Sequence, residues 1–173
     1  GGREFRIYKL RTMTHGCEAR TGPVWAMRDD PRTTRLGRWL RATHLDELPQ
    51  LWNVLRGDMS LIGPRPERPE IALQIQRILP NFGERLAVRP GLSGLAQLLL
   101  PPDADLDSVR FKLAHDLAYI SRSGPSLDLR IAVATLLHLA GVARGVQLRL
   151  IRPYAAERAI EAPRGAPTLR LTL

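Results

Sequence analysis

Hydrophobic and polar positions along the chain alternate first with a period of two. Phe5-Arg6-Ile7-Tyr8-Lys9-Leu10-Arg11 places apolar and basic residues in turn, which predicts a strand with one buried face. Residues 14–30 are polar and contain Gly22-Pro23, a loop signal. Pro31 suits the first turn of a helix in which Arg32, Arg35, Arg38 and Arg41 recur every third residue. At about 100° per residue these arginines cover half the helix, with Leu36, Trp39 and Leu40 toward the other side. That face is either solvated or laid against lipid phosphates with its apolar side inward.

Further along, a helix is predicted from Glu47 to Leu55, stopped by Gly57 in a left-handed C′ position. Ser60-Leu61-Ile62 is short and apolar, and the rigid Gly63-Pro64-Arg65-Pro66 follows it. A third helix covers Pro69 to Leu79 and is interrupted by Pro80. Val88-Arg89-Pro90-Gly91 reads as a turn before the apolar stretch Leu92 to Leu100. After Pro101-Pro102, Asp107 or Ser108 caps a helix running to Ser121. Gly124-Pro125 breaks it, and the last helix spans Leu127 to Arg144. The pattern is a mixed α/β (α+β) domain over residues 1–150, with short strands and several amphipathic surface helices. Residues 151–173 read as a basic C-terminal extension.

Composition narrows the partner. The chain has 173 residues, about one domain, and a net charge of +9, so its partner is anionic: nucleic acid, an anionic membrane or a phosphorylated small substrate. Three Phe, three Trp and three Tyr are too few for a base-stacking platform, and the arginines are spread rather than gathered in a reading motif. Cys17 is the one cysteine, which excludes an intrachain disulfide and a four-cysteine zinc site. The longest apolar run, Ile131 to Ala143, is short of the roughly 20 residues that span a bilayer. It reads as a buried helix or as a helix lying in a membrane surface. The chain opens Gly1-Gly2-Arg3 without Met and is read as a piece of a longer protein.

Candidate chemistry begins at Asp46-Glu47-Leu48-Pro49-Gln50. Two adjacent carboxylates before a helix are good capping residues at its positive end. The same end attracts phosphate, and an ionised aspartate there can act as a nucleophile on phosphorus. In Gly63-Pro64-Arg65-Pro66 the prolines fix the backbone, and the guanidinium is either incidental or a fork aimed at a phosphate. Arg89-Pro90-Gly91 admits the same two readings. His15, His44, His115 and His138 match no metal-ligand spacing, and no Walker loop, nucleophile elbow or dinucleotide fingerprint is present. Asp103, Asp105 and Asp107 form an acidic cluster, read as a solvated loop or an ion site.

Four blocks carry a family resemblance: Phe5 to Met13, Thr43 to Pro66 (THLDELPQLWNVLRGDMSLIGPRP), Arg89 to Gln97 (RPGLSGLAQ) and Lys112 to Ile120. Together they resemble the bacterial sugar transferases, monotopic polyprenyl-phosphate phosphoglycosyl transferases that begin capsule, exopolysaccharide or O-antigen assembly. The resemblance covers residues 3–145. It implies transfer of sugar 1-phosphate from a UDP-sugar to undecaprenyl phosphate with release of UMP. It implies Asp46 as the nucleophile that forms a phosphosugar-aspartate, with Glu47 assisting and both residues meeting Mg²⁺. Arg65, Lys9 and Arg89 would supply positive charge to the substrate, with Asp116 and Asp128 as supporting carboxylates.

The partners so implied are the UDP-sugar, undecaprenyl phosphate and an anionic membrane surface, at the cytoplasmic face of the inner membrane. On this reading no nucleic-acid partner is expected, and a homo-oligomer is left open. Family members carry a hydrophobic helix upstream of the first strand, expected here outside the sequence given. Many also show Asn-Gly-Arg after the Ala-Gln, where this chain has Leu98 to Asp103, a departure that bears on sugar or nucleotide preference. The alternative from another class is a basic module that binds nucleic acid or a membrane surface without catalysis.

Overall fold

The computed structural model describes residues 2–19, 30–101 and 106–156. Seven helices and two strands alternate in this order: α1 (Arg35–Ala42), α2 (Gln50–Leu55), β1 (Ser60–Ile62), α3 (Pro69–Ile78), β2 (Gly91–Ser93), α4 (Leu95–Leu99), α5 (Leu106–Arg122), α6 (Pro125–Leu139) and α7 (Arg144–Ile151). Single 3₁₀ segments lie at Leu45–Glu47, Pro80–Ala87 and Arg152–Tyr154. The class is the predicted one, a small mixed α/β domain, and most of it is helix.

β1 and β2 pair in parallel, Ser60 opposite Gly91 and Ile62 opposite Ser93. Parallel strands need a crossover, and α3 with the 3₁₀ segment Pro80–Ala87 supplies it. The strands meet through glycine. A Cβ on Gly91 would fall on the backbone of Gly63, and one on Gly94 would fall on the Gly63 carbonyl. That close approach fixes the turn Gly63-Pro64-Arg65-Pro66 against the start of α4.

Two apolar clusters fill the interior. Ile62, Leu95, Tyr119, Leu127, Ile131 and Ile151 form one, and Ile71, Ile75, Leu79, Phe82, Val109 and Leu113 the other. α5 joins them, giving Val109 and Leu113 to one cluster and Tyr119 to the other. α6 buries Ile131 and Ala134 but leaves Leu129, Leu136 and Leu139 exposed, so only one of its faces is core.

Four expectations from sequence are corrected. Residues 5–11 form no strand, because the segment docks on a helix instead of a neighbouring strand. The Tyr8 N–H donates to Asn53 Oδ1 (3.1 Å), and Asn53 Nδ2 donates to the Arg6 carbonyl (2.8 Å). The buried face predicted there is also absent, since Ile7, Tyr8 and Leu10 are exposed. Second, α1 begins at Arg35 rather than Pro31. Thr34 is its cap, the Gly37 N–H donating to Thr34 Oγ1 (2.9 Å). Gly37 backs directly on the Thr12 carbonyl, so the face that turns inward carries Gly37 and Leu40, while Leu36 and Trp39 point out. Arg32 is spent on Asp30, and Arg41 on the hydroxyls of Thr12 and Thr33, which leaves Arg35 and Arg38 as the exposed bases.

Third, the helix expected from Glu47 splits at Pro49. Proline has no N–H to continue the ladder, so the 3₁₀ segment closes first and α2 starts afresh at Gln50. Fourth, the long helix to Arg144 ends at Leu139, and Arg144–Ile151 is a separate helix packed on α6. Ile151 is 0% exposed within the Ile131 cluster, so the described chain through this residue is continuous with the core. Most of the expected extension, residues 157–173, lies outside the described residues.

Ile151→Ala is expected to cost about 2–5 kcal/mol, the range for truncating a buried isoleucine. Urea unfolding would read it as a lower midpoint at unchanged slope. A loss within about 0.5 kcal/mol, typical of a surface position, would put Ile151 outside the core.

Candidate active site

Asp46 and Glu47 sit on the 3₁₀ turn Leu45–Glu47, preceded by His44 in the left-handed region (φ 56°). The turn is pinned from outside by the Leu10 N–H, which donates to the Asp46 carbonyl (3.0 Å). Neither carboxylate caps α2, whose N-cap is Pro49 with no side-chain hydrogen bond. The capping account of the pair therefore fails.

The carboxylates instead face cations. Asp46 is 2% exposed, and its Oδ2 lies 2.9 Å from Lys9 Nζ. The same ammonium reaches Glu47 Oε1 at 3.1 Å. Arg65 closes the cluster from the other side, Nη2 to Glu47 Oε1 at 2.6 Å and Nη1 to Oε2 at 3.5 Å. Burial pushes the Glu47 pKa up, but the hydrogen bond and charge of Arg65, and then Lys9, outweigh it and hold the carboxyl at about 2. Two of the three predicted cations, Lys9 and Arg65, are thus in hydrogen-bonding contact with the dyad.

Each member comes from a different stretch and is held by a different device. Lys9 rides on the segment that Asn53 clamps, and Asn53 is fully buried. Arg65 stands between two prolines on the turn that Gly63 and Gly91 bring together. Behind it, Arg85 Nη2 donates to the Arg65 carbonyl (2.8 Å) and pairs with Asp116 Oδ2 (2.6 Å), its guanidinium over the Phe82 ring. Asp116 is thus joined to the Arg65 turn through Arg85.

Two of the expected site residues are elsewhere. The Arg89 guanidinium lies by Gly57, past the end of α2, and has no ion pair with Asp46 or Glu47. Asp128, in the first turn of α6, accepts a hydrogen bond from the Tyr119 hydroxyl (2.8 Å) and joins α5 to α6. Burial and then that bond raise the tyrosine pKa above its ordinary value. Asp107 pairs with Arg110, while Asp103 and Asp105 lie outside the described residues.

As metal ligands the dyad offers hard oxygen donors, and no group of three or more His, Cys, Asp or Glu gathers among the described residues. Two carboxylates can hold magnesium where phosphate and water complete its shell. Zinc, which wants three or four nitrogen or sulfur ligands, does not match.

A family model described as bacterial sugar transferase matches residues 1–141. The chain belongs to the bacterial sugar transferase family. It is 46% identical over 136 residues to an Aeromonas hydrophila protein named UDP-N-acetylgalactosamine-undecaprenyl-phosphate N-acetylgalactosaminephosphotransferase, covering 79% of this chain and 32% of that one. It is 44% identical over 138 residues to a Caulobacter vibrioides protein named UDP-glucose:undecaprenyl-phosphate glucose-1-phosphate transferase, covering 79% and 51%. An exopolysaccharide production protein of Rhizobium leguminosarum bv. phaseoli is 38% identical over 138 residues. The chain thus spans about a third of the first relative and about half of the second.

Sequence reasoning missed Asn53 and Arg85 in this family member. Asn53 sits among helix-forming residues, and nothing local marks its amide as a clamp for the segment 47 residues before it. Arg85 was one basic residue among many.

The depressed Glu47 pKa has a consequence for stability. A carboxylate whose folded pKa is lowered stabilises the protein above the ordinary value of 4.5 and loses that contribution as pH falls toward about 2. The stability difference between wild type and Glu47→Gln is expected to shrink across that window in thermal melts. A difference that is constant with pH would mean the ion pairs are absent in solution.

Proposed function

We propose that the protein transfers a sugar 1-phosphate from a UDP-sugar to undecaprenyl phosphate, releasing UMP, with Asp46 as the nucleophile. One observation carries this reading: a buried aspartate that caps nothing, adjacent to a second carboxylate, with Lys9 and Arg65 on either side. The names of the relatives support the substrate classes, and the family supports the reaction type.

The chemistry balances in two displacements. An Asp46 carboxylate oxygen attacks the phosphorus next to the sugar, the bond to the other phosphate breaks, and UMP leaves with the electron pair. An oxygen of undecaprenyl phosphate then attacks the same phosphorus and frees Asp46, giving a lipid diphosphate sugar. Such transfers need neutralised charge more than a strong base. Lys9 is suited to this because a diphosphate competes for its ammonium. Drawing Lys9 off Asp46 Oδ2 both uncovers the nucleophile and places the cation on the attacked group. Arg65 can hold Glu47 and present its remaining donors to a phosphate oxygen. Asp46 and Glu47 would hold Mg²⁺, which supplies charge neutralisation to the diphosphate when bound.

The anionic membrane surface is a second part of this proposal. Exposed apolar residues lie on the elements that adjoin the dyad: Ile7 and Leu10 on the docked segment, Leu36 and Trp39 on α1, Trp52 and Leu55 on α2. Arg6, Arg11, Arg35 and Arg38 are exposed among them. Two tryptophans with interspersed arginines fit the level of lipid headgroups. No helix among the described residues is long and apolar enough to cross a bilayer.

Asp46→Asn is expected to reduce UMP release to background, while far-UV circular dichroism and lipid binding stay unchanged. Retention of more than about a tenth of wild-type turnover would remove Asp46 as nucleophile, because an amide does not attack phosphorus. In the same assay EDTA is expected to stop turnover and Mg²⁺ to restore it; full activity in excess EDTA would refute the metal.

Vesicle flotation with anionic lipid is expected to show binding that weakens as salt rises. Replacing Trp39 and Trp52 together by serine should weaken it at least about tenfold, as each large apolar side chain is worth roughly 1.5–3 kcal/mol out of water. Binding indifferent to both changes would leave this face merely solvated.

A further inference from the structure

Behind Arg65 lies a narrow cleft, lined among others by Arg65, Glu67, Arg85, Gln97, Lys112 and Asp116. Its walls come from the proline-flanked turn, α3, the 3₁₀ segment Pro80–Ala87, α4 and α5, and Arg65 in its lining also holds Glu47. Its charged groups are engaged. Arg65 holds Glu47, Arg85 holds Asp116 and the Arg65 carbonyl, and Glu67, Lys112 and Asp116 all have interactions of their own. Gln97 differs from them. Both its Nε2 and its Oε1 are shielded from water, and neither makes a hydrogen bond.

A glutamine whose whole amide is buried without partners is the opposite of what packing selects. A methionine or leucine would fill the same space without leaving two donors and an acceptor unmade. Gln97 is the third residue of α4, and its Oε1 lies on the side of Gly94, the residue that backs on the Gly63 carbonyl.

We propose that Gln97 is a specificity-determining residue that reads a hydroxyl of the transferred sugar. The chemistry of the amide selects the ligand. A hydroxyl both donates and accepts, so it can satisfy Oε1 and Nε2 together, whereas a phosphate oxygen at neutral pH only accepts. A nucleobase also offers both, but bases are held by stacking, and Phe82, the one aromatic ring lining the cleft, is buried beneath Arg85. The sugar is bonded to the phosphate that Asp46 attacks, so it lies within reach of the Arg65 side of the dyad. A buried amide left unpaired by the wrong epimer gives strong discrimination, more than an apolar wall of the same shape. This inference rests on the transferase reading above.

The test uses the protein on vesicles containing undecaprenyl phosphate, with wild type, Gln97→Leu and Gln97→Glu. UDP-sugars that differ at single hydroxyls, UDP-glucose and UDP-galactose and their N-acetyl forms, are compared by kcat/KM, with UMP as competitive inhibitor. Gln97→Leu is expected to lower kcat/KM for the preferred donor at least about tenfold and to bring the ratio between epimers toward one. Inhibition by UMP should not change, and Tm without substrate should stay level or rise, since an unsatisfied amide has been removed. A purely structural glutamine would instead lower Tm and keep the sugar ratio. An unchanged ratio, or UMP inhibition weakened in parallel, overturns the proposal and assigns Gln97 to packing or to the nucleotide. Wild-type protein that turns over none of the UDP-sugars would sink the transferase reading itself, which is a separate outcome from an active enzyme with an indifferent Gln97.

Discussion

Two neighbouring carboxylate charges, one of them nearly sealed from water, repel each other unless cations are brought to them. The whole local architecture answers to that constraint. Lys9 bridges Asp46 and Glu47, and Arg65 takes Glu47 from the far side. Neither cation is near the dyad in sequence. Asn53 must therefore tie the N-terminal segment to α2, and the glycine-lined contact of β1 with β2 must bring the proline turn into range. Arg85 and Asp116 then hold that turn by its backbone.

On the proposed mechanism the same cluster accounts for how a sealed nucleophile would react. A site with its charges already balanced has no reason to open in the absence of substrate. A diphosphate would change the balance by competing for Lys9, and the anion that exposed Asp46 would be the one it attacks. The exposed tryptophans and arginines on α1, α2 and the docked segment fall on the part of the chain that carries the dyad. A lipid-phosphate acceptor lying in a membrane surface and a sugar nucleotide arriving from water would meet at such an edge.

The sequence was informative where the signal was local. Pro80 ended α3 as expected, Gly57 took the left-handed turn after α2, and the proline-flanked Arg65 was already suspect as a fixed guanidinium. It misled where long-range contacts decide. Alternation over residues 5–11 suggested a strand, yet the partner is a side-chain amide and the apolar positions stay exposed. The arginine period suggested one basic face, but the position of Gly37 against Thr12 rotated α1, and Thr12 and Asp30 took two of the four bases. At the site, Lys9, Asp46, Glu47 and Arg65 were legible because a resemblance gathered them. Arg85 and Asn53 were not, since their role exists only through partners at least 20 residues away.

The central claim is that Asp46 carries the phosphosugar between donor and acceptor. Mass spectrometry of the protein incubated with UDP-sugar alone, without undecaprenyl phosphate, tests it most directly. The account expects an added sugar phosphate on the peptide containing Asp46, matched by UMP released in no more than one equivalent, and lost again when the lipid acceptor is added. An unmodified peptide under conditions where both substrates together turn over rapidly, with strictly sequential kinetics, would contradict it.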